Sequence, residues 1–253
     1  MKRLAIFFFC SISTHCFSQN EKGKAGDPSL SGKVIQAYMS IEKFEQKFEQ
    51  SNQTEDQDSV ISYNKIFSNL LLSPELRELN NIELKQLAKA TGVKISLSKD
   101  KKLRILSWSI LNLTANPPCN NIAIVDNGSS ELIPANGNAE EFGPSIQIDS
   151  ISQVIGQRGL YILMGSNKCA LLCIRKTVSL YKLQEASISK VSRCFFDGKL
   201  YSDDVEFSYF MNEQQKAEPY FKIRDRKLLC PIFNEQKTRQ VGVKDFSIIV
   251  AGR

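Results

Sequence analysis

One stretch, Val93 to Ile110, limits what this chain can become, because the hydrophobic period changes there. Before it, apolar residues recur every three or four positions, the spacing of one helix face. From Val93 onward they recur every second position, the spacing of a half-buried strand. Val93, Ile95 and Leu97 alternate with Lys94, Ser96 and Ser98. A polar tip, Lys99-Asp100-Lys101, separates them from a second run. In that run Leu103 and Ile105 take one face, and Arg104, Leu106 and Trp108 take the other. This is a hairpin, and it carries the chain's only tryptophan.

Upstream, Leu30, Val34, Ala37, Tyr38, Ile41, Phe44 and Phe48 form a helical stripe. Ser51 to Asp58 is polar, and a second helix is expected over Asp58 to Leu72. Ser73-Pro74 restarts the chain with a capping serine and a proline at the first helical position. A further helix runs over Ile82 to Ala90, and Gly92 ends it. The apolar stripe serves either a core or a ligand groove, and the core is the commoner use of such a pattern.

Downstream the chain reads as strand, turn, strand. Ile122 to Val125 meets the tight-turn signal Asn127-Gly128, with Glu131 to Ile133 as the return strand. Pro134 to Pro144 holds several breakers and is a loop. Ile146 to Ile155 alternates with one slip. Gly159 to Met164 is expected to turn at Gly165-Ser-Asn-Lys168 into a long strand, Cys169 to Leu183. Val191 to Phe196 turns at Asp197-Gly198, Val205 to Met211 alternates, and Tyr220 to Ile223 turns at Asp225-Arg226 into Lys227 to Phe233. The last strand is placed at Phe246 to Ala251. About ten strands with short connections make antiparallel neighbours. The fold class is therefore α+β: N-terminal helices followed by a predominantly antiparallel β-meander, as a sandwich or a partly closed barrel. The regions are 1–18, 19–29, 30–92 and 93–253.

The first region has the three parts of a secretory signal: basic Lys2-Arg3, an apolar run from Leu4 to Ile12, and small residues at Cys16 and Ser18. Cleavage is expected after Ser18, giving a periplasmic or extracellular protein with a short flexible leader from Gln19. A lipoprotein cut before Cys16 is disfavoured by His15, which stands where a small residue is required. Cleavage removes His15, the only histidine. A mature chain without histidine has no Ser-His or Cys-His pair, no histidine metal site and no histidine pH switch. Without Lys2 and Arg3 it keeps 31 basic against 27 acidic residues, interspersed along the chain. Such a surface lacks the clustered footprint of a nucleic-acid binder. No later apolar run is long enough for a transmembrane anchor.

Five cysteines remain, Cys119, Cys169, Cys173, Cys194 and Cys230, so at least one is unpaired. Placed in one strand, Cys169 and Cys173 would be about 13 Å apart, too far for a bridge. The cysteines read as small buried hydrophobes, or as a Cys194–Cys230 disulfide among otherwise free thiols. No metal site is expected without C-x-x-C pairs or histidine, and no cofactor, because glycine-rich nucleotide motifs are missing.

Asp204 and Glu206 are the nearest approach to a catalytic carboxylate pair, about 6.6 Å apart on one strand face. Arg104 and Trp108 share a face and could present a cation and a stacking ring to a glycan, although a place in the core is the commoner use of a tryptophan. Asp58-Ser59-Val60 and Asp149-Ser150-Ile151 resemble the O-glycan acceptor signal of secreted Bacteroidota proteins, which would make Ser59 and Ser150 the acceptors. A binding or structural role without catalysis, with a protein or glycan partner, is expected first. A histidine-free, glycosidase-like hydrolase and an accessory or immunity-like partner are the alternatives.

The hairpin Ser98-Lys-Asp-Lys-Lys-Leu-Arg-Ile-Leu-Ser-Trp108 resembles an S-x-D-G-K-x-R-x-x-S-W-D-like hairpin of uncharacterised secreted proteins of Bacteroidota-type bacteria. Tyr161 to Lys168 and Tyr220 to Pro231 are similar to two later hairpins of that group. The resemblance covers roughly residues 90 to 235 and implies export and this architecture, without an activity. Two departures stand out: Lys101 replaces the tip glycine, and Ser109 replaces the aspartate after the tryptophan.

Overall fold

The computed structural model describes residues 29–79, 81–111, 119–126, 130–132, 146–170, 172–185, 187–211, 218–224 and 226–249. The signal segment, nearly all of the leader, the Asn127-Gly128 turn and the Pro134 to Pro144 loop lie outside the described residues. Three helices come first: α1 (Leu30–Ser51), α2 (Thr54–Leu71) and α3 (Asn81–Thr91). The Ser29 hydroxyl accepts from the Gly32 amide and caps α1. The break after α1 is shorter than the polar run suggested. Asn52 turns the chain in the left-handed conformation, and α2 resumes at Thr54. Pro74–Glu78 forms a 3-10 turn rather than an α-helix, and Ser73 supplies no side-chain cap to it.

Fourteen strands follow among the described residues. β1 (Lys94–Leu97), β2 (Leu103–Ser109), β3 (Cys119–Val125) and β4 (Ser130–Leu132) form a first antiparallel sheet in chain order. β5 (Gln147–Gln153), β6 (Leu160–Ala170), β7 (Cys173–Gln184), β8 (Ser187–Lys190) and β11 (Asp204–Phe210) form a second, ordered β11-β7-β6-β5, with β8 also on β7. β9 (Phe195–Phe196), β10 (Tyr201–Ser202), β12 (Lys222–Arg224), β13 (Lys227–Phe233) and β14 (Gln240–Ile248) form the third, ordered β10-β9-β14-β13-β12. No sheet closes on itself among the described residues, so the barrel alternative falls and the sandwich stands.

Three cores lie in series between four layers. Helices and the first sheet enclose Val34, Ile41, Val60, Phe67, Leu106, Trp108 and Ile122. The other face of that sheet, with Leu103, Ile105 and Ala123, meets Ile148, Tyr161 and Leu163 of the second sheet. The far face of the second sheet, with Ile162, Val178, Leu180, Val205 and Phe207, meets Phe195, Leu228 and Ile248 of the third. The first two sheets are therefore apolar on both faces. Each buried Leu or Ile in them contributes roughly 1.5–3 kcal/mol of transfer free energy. Buried polar side chains stitch these two sheets together. Ser107 donates to Asn121 Oδ1 at 2.6 Å and accepts from the Ile148 amide at 3.2 Å. Asn121 Nδ2 donates to the Ile146 carbonyl at 2.9 Å, and Ser96 to the Ile148 carbonyl at 3.2 Å.

Two expectations about cysteine are overturned. The chain does not turn at Gly165 to Lys168. β6 runs through those residues, and the reversal comes after Ala170, which pairs with Cys173. Cys169 and Cys173 therefore flank a hairpin turn instead of sharing a strand. Their Cα atoms are 5.1 Å apart, and they form a disulfide. Cys194 and Cys230 are free, buried thiols. Cys194 precedes β9, and β14 lies between β9 and β13, which carries Cys230. Two strand spacings amount to about 9.6 Å, beyond the reach of a disulfide. The Cys194 thiol donates to the Asp203 carbonyl at 3.5 Å, and the Cys230 thiol to that of Pro231 at 3.6 Å.

Candidate functional site

The β1–β2 hairpin ends where the missing glycine was noted. Lys101 sits at φ +62°, the left-handed region, and its amide donates to the Ser98 carbonyl at 2.9 Å. A lysine there costs about 1 kcal/mol relative to glycine. Asp100 compensates from inside the turn. Its Oδ1 accepts from the Ser98 hydroxyl at 2.7 Å and the Lys102 amide at 3.3 Å. Its Oδ2 accepts from the Tyr161 hydroxyl at 2.7 Å and ties the tip to β6. Burial pushes the Asp100 carboxyl upward, but these hydrogen bonds outweigh it and hold the group below the usual carboxylate range.

Beside this tip lies an open cleft of about 750 Å³. Its walls are Lys99 and Asp100 on one side and the end of β5 with the β5–β6 turn, residues 151–158, on the other. Gly156 bends that turn at φ +74°, and a Cβ there would lie 3.3 Å from Arg226 Nη2. Asp100 spends its charge on the hairpin, whereas the exposed Lys99 and Arg158 face the opening. Ser152, Gln153 and Gln157 add hydroxyl and carboxamide groups. The cleft can therefore offer cations to anionic groups and hydrogen-bond their polar neighbours.

A second cluster gathers at one end of the β5–β6–β7 surface. Asp149 is the extra residue of a bulge, where the register slips between Ile148 and Ser150. Its carboxylate accepts from the Ser166 hydroxyl at 2.7 Å and pairs with Lys94. It also lies 3.5 Å from Lys176 Nζ. Lys176 is only 2 % exposed, and Glu218 Oε1 lies 2.6 Å from the same ammonium. Tyr209 donates to Glu218 at 3.1 Å, and the Tyr220 ring lies 4.9 Å from Lys176 Nζ.

The residues singled out in the sequence are scattered. Trp108 is 1 % exposed, set edge-on against Phe67 at 5.3 Å, and its Nε1 donates to Asn64 Oδ1 at 2.7 Å. Its ring faces the helices and offers no stacking surface to a ligand. Arg104 is half-buried on the same strand. Asp204 is engaged by Lys190 at 2.6 Å and by the Ser179 hydroxyl, while Glu206 is exposed on the same strand. Neither carboxylate lines the cleft. Ser59 lies in α2 and donates to the Glu55 carbonyl at 2.9 Å. Ser150 shares a hydrogen bond with the Tyr220 hydroxyl at 3.2 Å, so a sugar on it would displace that ring.

Burial pushes the Cys119 and Cys194 thiols up to about 12 and Cys230 to about 11, unlike nucleophilic cysteines. Among the described residues, no three His, Cys, Asp or Glu side chains are placed to hold a metal ion. No helix among them is long and apolar enough to cross a membrane.

Sequence reading missed the cleft and the Lys176 cluster. Lys176 left one signal: it falls on the same alternating face as Val178 and Leu180, an inward position for a charge. The cleft left none, because its two walls come from segments some fifty residues apart. No protein-family profile, curated protein or solved structure matches the chain.

Proposed function

We propose that this is an exported binding protein, periplasmic or extracellular, that takes an acidic glycan in the cleft between the β1–β2 tip and the β5–β6 turn. The observation that carries the reading is that Lys99 and Arg158 both line that opening, with Asp100 already committed to Ser98, Lys102 and Tyr161. Two cations at separate points suit carboxylates spaced along a chain of sugars. Ser152, Gln153 and Gln157 suit the hydroxyls between them, since each can donate or accept. Export is supported by the N-terminal basic and apolar segments and by the Cys169–Cys173 disulfide, a bond that persists in oxidising compartments.

Calorimetric titration with uronic-acid oligosaccharides tests the site. Binding is expected to weaken at least tenfold in the Lys99→Ala/Arg158→Ala double variant and to weaken with salt. Equal affinity in the variant, or stronger binding of neutral sugars or of an acidic peptide, would overturn the reading. N-terminal sequencing of the protein from its native host tests export, with Gln19 expected as the first residue.

A further inference from the structure

We propose that Lys176 and Asp149 become joined by an intramolecular amide bond, a covalent cross-link between β7 and β5 across β6. The proposal is independent of the cleft. Lys176 is the one charged residue that the core buries this completely among the described residues, at 2 % exposure. Its ammonium meets two carboxylates in unlike settings. Glu218 Oε1, at 2.6 Å, is on a side chain 61 % exposed, whereas Asp149 Oδ2, at 3.5 Å, is on one 14 % exposed.

The settings divide the labour. Glu218 is nearest the nitrogen and open to water, so it is the proton acceptor. Asp149 is fixed by its bulge and polarised from both oxygens, with Lys94 on Oδ1 and the Ser166 hydroxyl on Oδ2. Tyr220 covers Lys176 on one side, and Phe207 stands opposite it in the β7–β11 register. With this packing, Lys176 is 2 % exposed.

In the bond-forming step, Glu218 takes one ammonium proton and frees the nitrogen lone pair. The lone pair adds to Asp149 Cγ, and the carbonyl pair moves onto Oδ1, beside the Lys94 ammonium. The pair on Oδ1 then re-forms the Cγ–Oδ1 double bond as the Cγ–Oδ2 bond breaks. Oδ2 departs as water with two of the three ammonium protons, one relayed by Glu218 and one taken directly from nitrogen. One proton stays on the amide nitrogen, and Glu218 returns to its starting state. The ammonium and the carboxylate are removed together, which ends the desolvation penalty of a buried ion pair.

Mass spectrometry of the parent protein, denatured in guanidinium and reduced, is the test. The expected result is an intact mass lower by one water and a branched tryptic peptide joining the Lys176 and Asp149 sequences. Trypsin should also fail to cut after Lys176. Lys176→Arg should restore the water and abolish the branch, and Glu218→Gln should lower the linked fraction several-fold at a fixed time after refolding. The unlinked mass in the parent overturns the proposal. So does a water loss confined to Asp149-Ser150, which is the mass of a cyclic imide and not of a cross-link. Because the parent is read directly, a variant that fails to fold does not decide the matter.

Discussion

Asn64→Ala should loosen the helix layer from the first sheet by a measurable amount. Asn64 is buried in α2, and its Oδ1 is the acceptor for Trp108 Nε1 at 2.7 Å. Removing the carboxamide leaves an indole N–H inside the first core without a partner. A buried donor stripped of its acceptor costs about 1–3 kcal/mol. For a chain of this size, each kcal/mol moves the melting temperature by roughly 2–4 °C, so a fall of about 2–12 °C is expected. Trp108 is the only tryptophan, so its fluorescence reports this core alone while circular dichroism reports the whole chain. Urea melts followed by both signals should give a lower midpoint with an unchanged slope. Trp108→Phe in the same background should recover part of the loss, since it removes the stranded donor. An unfolding free energy for Asn64→Ala within about 0.5 kcal/mol of the parent would refute the reasoning. So would parent fluorescence with the red-shifted maximum of an indole in water.

The Cys169–Cys173 bridge closes a short loop, worth about 2 kcal/mol in the chain-entropy account. Cys169→Ser/Cys173→Ser should therefore melt about 4–8 °C lower by calorimetry, and an unchanged melt would contradict the estimate. The thiols of Cys119, Cys194 and Cys230, raised by burial, should resist iodoacetamide at pH 8 in the native protein and react after denaturation; rapid native labelling would show the cores to be open. Asp100 binds its proton less readily in the folded state than in the unfolded chain, despite the upward push of burial. Its contribution is thus present above about pH 4 and lost as pH falls through the lower folded value. Asp100→Asn should flatten the acid branch of the stability curve in that window, and an identical branch in parent and variant would refute this.

The helices and the first hairpin were legible because local signals and burial agree there. Gly92 ends α3 at φ +62°, and the alternation from Val93 matches the β1–β2 register, with Ile95 opposite Leu106. Trp108 was placed in the core on ordinary grounds, and it is there. The β6–β7 boundary failed for a physical reason. Gly165-Ser-Asn-Lys looks like turn chemistry, but Gly165 serves a close approach. A Cβ at that position would lie 2.5 Å from the Gln147 carbonyl oxygen, so only glycine lets β5 pair there. That single misreading shifted the hairpin tip and with it the cysteine pairing. The Asp149 slip was visible as a break in alternation, yet its consequence was hidden. A bulge shows in sequence, but the lysines it meets, Lys94 and Lys176, come from other strands.

The first two sheets, covered on both faces, pose a problem of address rather than of stability. In a sheet with one wet face, a slip of one residue throws the apolar side chains into water, and the error corrects itself. In β2, a slip of one residue would carry Ile105 into the place of Leu106, out of one dry core and into the other. Greasiness cannot tell the two pairings apart. The hydroxyl of Ser107 and the carboxamides of Asn121 and Asn64 can, because each finds its partner in only one of them. The few polar atoms inside this stack thus act as its spelling: they select the register from alternatives that the apolar residues would accept equally well.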